Sequence, residues 1–306
     1  MRKFSLSLLF VLSVFLSSAQ QLHFMSQYLQ HNSMLNPAAA GMSDKKMVGL
    51  SYRNQWASFP GSPKTFMLYT DLNLDKLNAG IGAYVYRDET GPTSRTGVQL
   101  AYSYHIISKD QKHKFGLGLE LRGLQYAINK SKIQSSLTAS PALGGVIDPV
   151  LGGASSKVGI DAGAGAYYTN GKLTAGVAVS QLIQTKLQLS DVPNATLNGK
   201  LYRHYNMMVN YVFETGDNIK LIPNALVRVI QNSPTEFEAG VKLDYQQKLW
   251  VAVLAKMRQS YSLQFGFNLT EKLNLSYSYD AYSTPISAFD GGSGAHEIGL
   301  RFDIKK

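Results

Sequence analysis

Apolar and polar residues alternate one by one through most of the chain. In one segment Phe115, Leu117, Leu119 and Leu121 alternate with smaller or polar residues. A side-chain period of two indicates strands with one apolar and one polar face. About fourteen segments follow this pattern, each long enough to cross a membrane as a tilted strand. They lie near 46–54, 64–72, 78–87, 95–107, 113–126, 156–168, 171–182, 200–213, 218–230, 235–245, 248–257, 260–269, 272–282 and 295–305.

The lengths of the strands and links favour a membrane barrel over a soluble sandwich. Strands of soluble proteins average about five to six residues. All the long links, such as 55–63, 127–155, 183–199 and 283–294, are odd-numbered along the chain. Outer-membrane barrels alternate short periplasmic turns with longer external loops. We therefore predict an all-β protein, an antiparallel up-and-down outer-membrane β-barrel of about fourteen strands. The alternation by itself leaves open which face lies inside.

Two regions precede the barrel. Residues 1–19 are predicted to be a signal peptide, because a short basic start is followed by an apolar run and by small residues before Gln20. Residues 20–44 form an N-terminal segment, in which apolar residues at helical spacing indicate a short helix that Asn36-Pro37 ends. This segment either plugs the lumen, lies under the periplasmic rim, contacts a partner or is an untethered leader. The barrel covers 45–306, and the predicted location is the outer membrane, crossed many times.

Composition and motifs exclude several classes of function. Only 16% of residues are charged and cysteine is absent, which excludes a disordered chain, a disulfide scaffold and thiol catalysis. His296-Glu297 begins a zinc-protease pattern, but the second histidine is missing. No nucleotide-binding loop and no array of basic and aromatic residues occurs. We therefore expect no enzymatic activity, no cofactor, no bound metal and no nucleic-acid partner.

The polar faces carry charges of both signs. Either these charges pair with one another or with a plug or inserted segment, or they are the ordinary polarity of a pore. The predicted lumen charges are Glu120, Asp161, Glu238, Asp244, Asp280, Glu297, Asp303, Arg53, Arg122, Arg228, Lys242, Lys256 and Arg301.

Several motifs resemble one known family. They are LNPAAAG at 35–41, YRNQW at 52–56, FPGSPKT at 59–65, DETGP at 88–92, SYSYD at 276–280 and GAHE at 294–297. Together they resemble the PorP/SprF family of Bacteroidetes outer-membrane proteins. The resemblance covers nearly the whole mature chain, although 127–155 and 183–199 carry no recognised motif.

The resemblance implies a place in the type IX secretion system and its gliding machinery. The implied role is secretion and surface anchoring of a client, such as a gliding adhesin, through a type B C-terminal sorting domain. It also implies contact with the secretion machinery, with a periplasmic peptidoglycan-binding partner and with outer-membrane lipids. Two other functions are considered: a transport channel for small solutes or apolar molecules, and a structural scaffold of the secretion apparatus.

We expect the client to dock at the external mouth of the barrel. Trp56 and Phe59 lie on the first external link, where two prolines limit the flexibility of the loop. Closure of the barrel would bring the 283–294 link beside them. Trp56 alternatively belongs to the aromatic girdle at the membrane interface. The predicted partner-binding residues are Arg53, Trp56, Phe59, Pro60, Asp88, Thr90, Tyr282 and Asp290.

Overall fold

Alternating segments of the sequence form long antiparallel strands. The computed structural model describes residues 25–43, 45–133, 156–188, 198–216, 218–283 and 287–304. The predicted signal peptide therefore lies outside the described residues. Numbered in chain order, the strands are β1 (Lys46–Gln55), β2 (Lys64–Leu74), β3 (Ala79–Thr90), β4 (Thr93–Ile107), β5 (Lys114–Ile128), β6 (Ser156–Thr169), β7 (Leu173–Ser180), β8 (Lys186–Gln188), β9 (Asn198–Lys200), β10 (His204–Tyr211), β11 (Phe213–Thr215), β12 (Ile219–Ile230), β13 (Glu236–Tyr245), β14 (Leu249–Lys256), β15 (Ser260–Asn268), β16 (Leu273–Tyr282) and β17 (Ala295–Ile304).

The sheet closes on itself. From β1 to β7 and from β12 to β17 each strand pairs with its sequence neighbours, and β10 bridges β7 and β12. β1 also pairs with β17, with Tyr52 opposite Ile298. β10 and β11 pair with consecutive stretches of β12, so together they form one barrel strand that is interrupted at Val212. The described residues thus form a closed antiparallel barrel of fourteen strands, as predicted. β8 and β9 form a separate hairpin in the link between β7 and β10.

One strand begins later than predicted. The segment expected at 200–213 joins the barrel only at His204. The backbone N–H of Leu201 donates to the carbonyl of Thr185, so this part of the chain belongs to the external link. Apolar and polar residues also alternate before His204, so the sequence alone placed the start of this strand too early.

The apolar face points outward and the polar face lines the lumen. Leu119 is 68% exposed and Val158 is 72% exposed, whereas Ser278 and Glu297 on the inner face are fully buried. No helix in the described ranges is long and apolar enough to cross a membrane. A closed barrel with an apolar exterior is the architecture of an outer-membrane protein that crosses the bilayer many times.

The lengths of the links show which end of the barrel is external and which is periplasmic. Short turns at 75–78, 108–113, 170–172, 246–248 and 269–272 join strands at one end, and the longest links lie at the other end. Short turns face the periplasm in outer-membrane barrels. The end that carries 56–63 and 287–294 is therefore the external mouth, and the end that carries the short turns is the periplasmic mouth.

Residues 25–43, called here the lumen segment, lie inside the barrel. They form three 3₁₀ turns, Tyr28–Gln30, Asn32–Met34 and Pro37–Ala39, and the helix that the apolar spacing indicated is absent from these residues. Asn36-Pro37 begins the third turn, because the Asn36 side chain accepts a hydrogen bond from the Ala38 N–H. Hydrogen bonds within the turns satisfy several backbone N–H groups, such as that of His31, and side chains of the barrel wall satisfy carbonyls, such as that of Ala38.

Candidate functional site at the external mouth

The first external link is a short, internally hydrogen-bonded loop at 56–63. The Phe59 N–H donates to the Trp56 carbonyl over 3.0 Å, and the Ser62 N–H donates to the Phe59 carbonyl over 3.1 Å. Gly61 has a φ of +77°, which suits a residue without a side chain. These turns raise the loop above β1 and β2 and leave Phe59 41% exposed. Pro60 is exposed beside it.

The loop is tied to the link that precedes β17. The Trp56 N–H donates to the Gly294 carbonyl over 2.7 Å, and the Ser58 hydroxyl donates to the Asp290 carbonyl over 2.8 Å. The buried Asp290 carboxylate accepts hydrogen bonds from the N–H groups of Gly292 and Gly294. Its role is therefore to hold the 287–294 turn in shape next to Trp56.

The other side of the loop is tied to the β3–β4 hairpin. The Gly91 N–H donates to the Gly61 carbonyl over 2.8 Å. Below this contact, the Thr65 hydroxyl donates to the half-buried Asp88 carboxylate over 2.8 Å. Thr90, at the end of β3, is exposed. The loop is thus held at both flanks. The 56–63 loop, the 287–294 link and the β3–β4 hairpin form one continuous surface.

Trp56 packs at the inner edge of this surface. Its ring centroid lies 5.8 Å from that of Tyr282 in a tilted arrangement. Its φ of +55° lies in the left-handed region, which costs a residue with a side chain on the order of 1 kcal/mol or more. The hydrogen bond to Gly294 and the Tyr282 contact hold the half-buried indole in this conformation.

Arg53 lies below the surface, inside the lumen. It is 6% exposed and forms ion pairs with Asp280 at 2.6 Å and Glu297 at 3.6 Å. It also donates to the hydroxyl oxygens of Tyr282 and Ser26. Arg53 therefore joins the external aromatic pair to the lumen segment and does not itself reach the outside.

Along the chain, the lumen segment runs from the external half of the barrel towards the periplasmic mouth. Near its end, the Gly41 N–H donates to Asp71 on β2, and near its start the Ser26 N–H donates to Glu297 on β17 over 2.6 Å. Tyr28 donates to Glu238 on β13 over 2.6 Å. The segment therefore contacts strands around the barrel circumference. In the outer half, a cavity beside the segment measures about 30 Å³, and a second one within the barrel wall measures about 20 Å³, roughly the volume of single water molecules.

Several other lumen charges pair within the wall. Arg122 lies 2.8 Å from Glu120, and Arg228 lies 2.6 Å from Glu236. Many of the mixed charges inside this barrel are thus arranged as local pairs. Among the described residues, no group of histidines and carboxylates is arranged to hold a metal ion.

The structure brings most of the predicted residues together and adds others. Trp56, Phe59, Pro60 and Thr90 reach the surface or its edge, whereas Arg53 and Asp290 are buried beneath it. Ser58 and Gly294, which the sequence reasoning did not select, fasten the two links to each other. Small polar residues in loops carry no signal for such a contact, since its partner lies more than two hundred residues away.

Comparison with solved structures gives matches of low sequence identity that cover most of the chain. The toluene transporter TodX of P. putida has a TM-score of 0.47 and 10% identity, and the match covers 89% of this chain and 93% of that one. Omp33 of Acinetobacter baumannii has a TM-score of 0.47 and 9% identity, covering 86% and 100%. A FadL homologue of Pseudomonas aeruginosa has a TM-score of 0.44 and 14% identity, covering 88% and 90%.

Comparison at the level of sequence gives a more specific result. No curated protein sequence matches the chain. A family model, described as type IX secretion system membrane protein PorP/SprF, matches residues 17–302, nearly the whole chain and all the motifs noted above. The chain therefore belongs to the PorP/SprF family of type IX secretion system membrane proteins.

Proposed function

We propose that the protein is a non-enzymatic anchor that holds a secreted client at the external mouth by the client's type B C-terminal sorting domain. A gliding adhesin is the class of client proposed. The observation that carries this proposal is the exposed Phe59 beside Trp56, on a loop fastened at both flanks. Large aromatic side chains of this kind are frequent anchors at protein interfaces.

The rigidity of the loop supports binding. Pro60 and Pro63 restrict the backbone, and hydrogen bonds to Gly294 and Gly91 fix its position. A loop that is ordered before the partner arrives loses less conformational entropy on association. Asp290 and Arg53 act here as positioning residues, because both are buried and engaged with their own chain.

The filled lumen favours an anchor over a channel for small solutes. The lumen segment contacts the wall on many strands, and two cavities among the described residues of the outer half are water-sized, at about 30 and 20 Å³. A channel would require a continuous path past Ser26 and Tyr28, both of which hydrogen-bond to wall carboxylates. We further propose that the periplasmic end contacts a peptidoglycan-binding partner and the secretion machinery.

The test replaces the two aromatic side chains in cells that display a client. Trp56→Ala and Phe59→Ala should each reduce surface display and co-purification of the client, because each removes an anchor side chain. Phe115→Ala is the matched control, since Phe115 is 51% exposed on the barrel exterior at the periplasmic end. Barrel assembly is checked by heat-modifiable gel mobility.

The outcomes distinguish a client anchor from a secretion scaffold and from a channel. Loss of the client with a normal barrel supports docking at this surface, and wild-type display in both variants overturns it. Loss of every secreted substrate on deletion of the protein indicates a scaffold. Stepwise ion conductance of the purified wild-type protein in planar bilayers indicates a channel.

A further inference from the structure

A third and larger cavity opens at the periplasmic mouth, far from the surface described above. It has a volume of about 260 Å³ and lies between the lumen segment and the barrel wall. Its lining is strongly polar and includes Lys45, Lys242, Arg301, Asp71 and His31. This cavity is several times larger than the water-sized spaces in the outer half of the lumen.

Among the residues that line this cavity, the three basic side chains outnumber the single carboxylate, that of Asp71. Lys45 and Arg301 share one carboxylate, that of Asp303, at 3.1 and 2.8 Å. Lys242 forms no direct salt bridge with any described residue, although the charge of Asp244, on the same face of β13, acts on it. Its ammonium group lies 4.8 Å from the centre of the Trp250 ring. The Asp71 carboxylate accepts the Gly41 N–H and so helps to hold the lumen segment.

His31 adds no charge to this balance. Its ring stacks on Tyr69 with 4.1 Å between centroids. Burial lowers the pKa of His31 to about 3, and the nearby positive charge of Arg301 contributes to the same effect. The imidazole is therefore neutral at physiological pH, and the surplus charge belongs to the lysine and arginine side chains.

The rim around the cavity is also basic. Exposed lysines occupy most of the short periplasmic turns, at Lys76, Lys109, Lys112, Lys172, Lys248 and Lys272. The described residues of the same turns carry fewer acids, at Asp75, Asp110 and Glu271. A concave site surrounded by charge of one sign concentrates ligands of the opposite sign.

We propose that the periplasmic mouth binds an acidic peptide segment of a periplasmic protein. One carboxylate would enter the cavity and pair with Lys242 and Arg301, while the rim lysines contact the rest of the peptide. Lys242 and Arg301 face the lumen, and the barrel wall separates them from the bilayer. Lipid headgroups therefore reach only the rim, which favours a peptide as the occupant of the cavity. This site is independent of client docking outside.

The test uses the full mature barrel in detergent and a fluorescent hexaglutamate peptide as the probe. We expect saturable binding, followed by fluorescence anisotropy, that weakens as salt concentration rises. Lys242→Gln should weaken binding about tenfold or more, because it removes a charge-assisted hydrogen bond in a partly desolvated site. Lys242→Arg keeps the charge and should bind almost normally. Lys112→Gln removes the same charge from the rim and should change the affinity far less.

Several results would overturn the proposal. Hexaglutamate that fails to bind at low salt, or a hexaglutamine peptide that binds equally well, would exclude an acidic-peptide site. Equal losses from Lys242→Gln and Lys112→Gln would show a diffuse attraction to the rim without use of the cavity. Complete competition by phosphatidylglycerol in nanodiscs would assign the site to lipid headgroups. Heat-modifiable mobility confirms that each variant forms a barrel.

Discussion

The backbone of Gly118 on β5 touches the backbone of Ala38 in the lumen segment. A Cβ at position 118 would lie 2.3 Å from the Ala38 nitrogen, a separation that real structures do not allow. A Cβ at Gly80 would lie 2.0 Å from the Ala40 carbonyl oxygen, and a Cβ at Gly165 would lie 2.1 Å from the side-chain oxygen of Asn36. The NPAAAG motif thus packs against wall positions that carry no side chain. The motif and these glycines together make a single contact between the lumen segment and the wall.

Gly118→Val is expected to displace the lumen segment. The new side chain meets backbone atoms that cannot rotate away, so we expect a cost of about 1–3 kcal/mol from overpacking. Because the chain has no cysteine, Ser33→Cys offers a single buried site for a bulky maleimide. Labelling of this cysteine should be slow in the parent protein and fast in the Gly118→Val background.

Gly123→Ala on the same strand provides the control. There the nearest atom to the added Cβ is a side-chain methyl of Val98, at 3.3 Å, and the residue lies on the outer face. Labelling of Ser33→Cys should stay slow in this background. If Gly118→Val also leaves labelling slow, the segment does not depend on the close contact with β5.

Arg53→Met should destabilise the barrel by about 3–5 kcal/mol, because it leaves the buried carboxylates of Asp280 and Glu297 without their partner. The measurement is urea unfolding in lipid vesicles followed by gel mobility. Lys45→Met is the comparison, since its partner Asp303 is shared with Arg301 and its own side chain is 47% exposed. That change should cost about 1 kcal/mol or less. Similar costs for both variants would contradict the role of burial.

Leu119→Arg should cost about 2–4 kcal/mol, because Leu119 projects from the middle of β5 into the hydrocarbon. Asn210→Arg places the same group on the inner face of β10, where water and polar atoms are available, and should cost less. Equilibrium unfolding in lipid vesicles measures both. A cost for Leu119→Arg below that for Asn210→Arg would be inconsistent with the observed orientation of the strands.

Asp290→Ala should loosen the 287–294 link while the barrel stays intact. The change removes two hydrogen bonds from the N–H groups of Gly292 and Gly294 to a charged acceptor. Such bonds contribute about 1.5–3 kcal/mol each. Proteinase K should then cut this link faster, whereas Ser287→Ala in the same link should leave the rate unchanged. If the cleavage rate does not rise, the carboxylate does not hold the turn.

The strands were predictable because lipid imposes a simple rule on them. An apolar residue such as Leu119 must face outward and its neighbour Glu120 inward. The sequence of each segment therefore shows which of its residues face lipid and which face the lumen. The start of β10 at His204 was harder to predict from the sequence. It depends on a hydrogen bond between Leu201 and Thr185, which is a contact between separate parts of one link.

The conformation of the lumen segment was not predictable in the same way. Local spacing around Met25 and Tyr28 indicated a helix, but these side chains face different parts of the wall, where Tyr28 bonds to Glu238. The Asn36 amide donates to the carbonyls of Ala166 and Val177 on β6 and β7. Contacts over such sequence distances overrule local preference. The exposure of Phe59, in contrast, followed from its place on an external link.

The hydrogen bond from Ser26 to Glu297 spans 271 residues, which constrains the order in which the molecule assembles. Glu297 belongs to the final strand, so the first described turn of the chain obtains its partner only after nearly the whole polypeptide has been placed. The entropy of closing so long a loop must be overcome before either contact contributes. Pairing of β1 with β17 brings both partners together. Sealing of the barrel and fixation of the residues around Ser26 are therefore one late event, and in an unsealed intermediate this end of the lumen segment would still be free to leave.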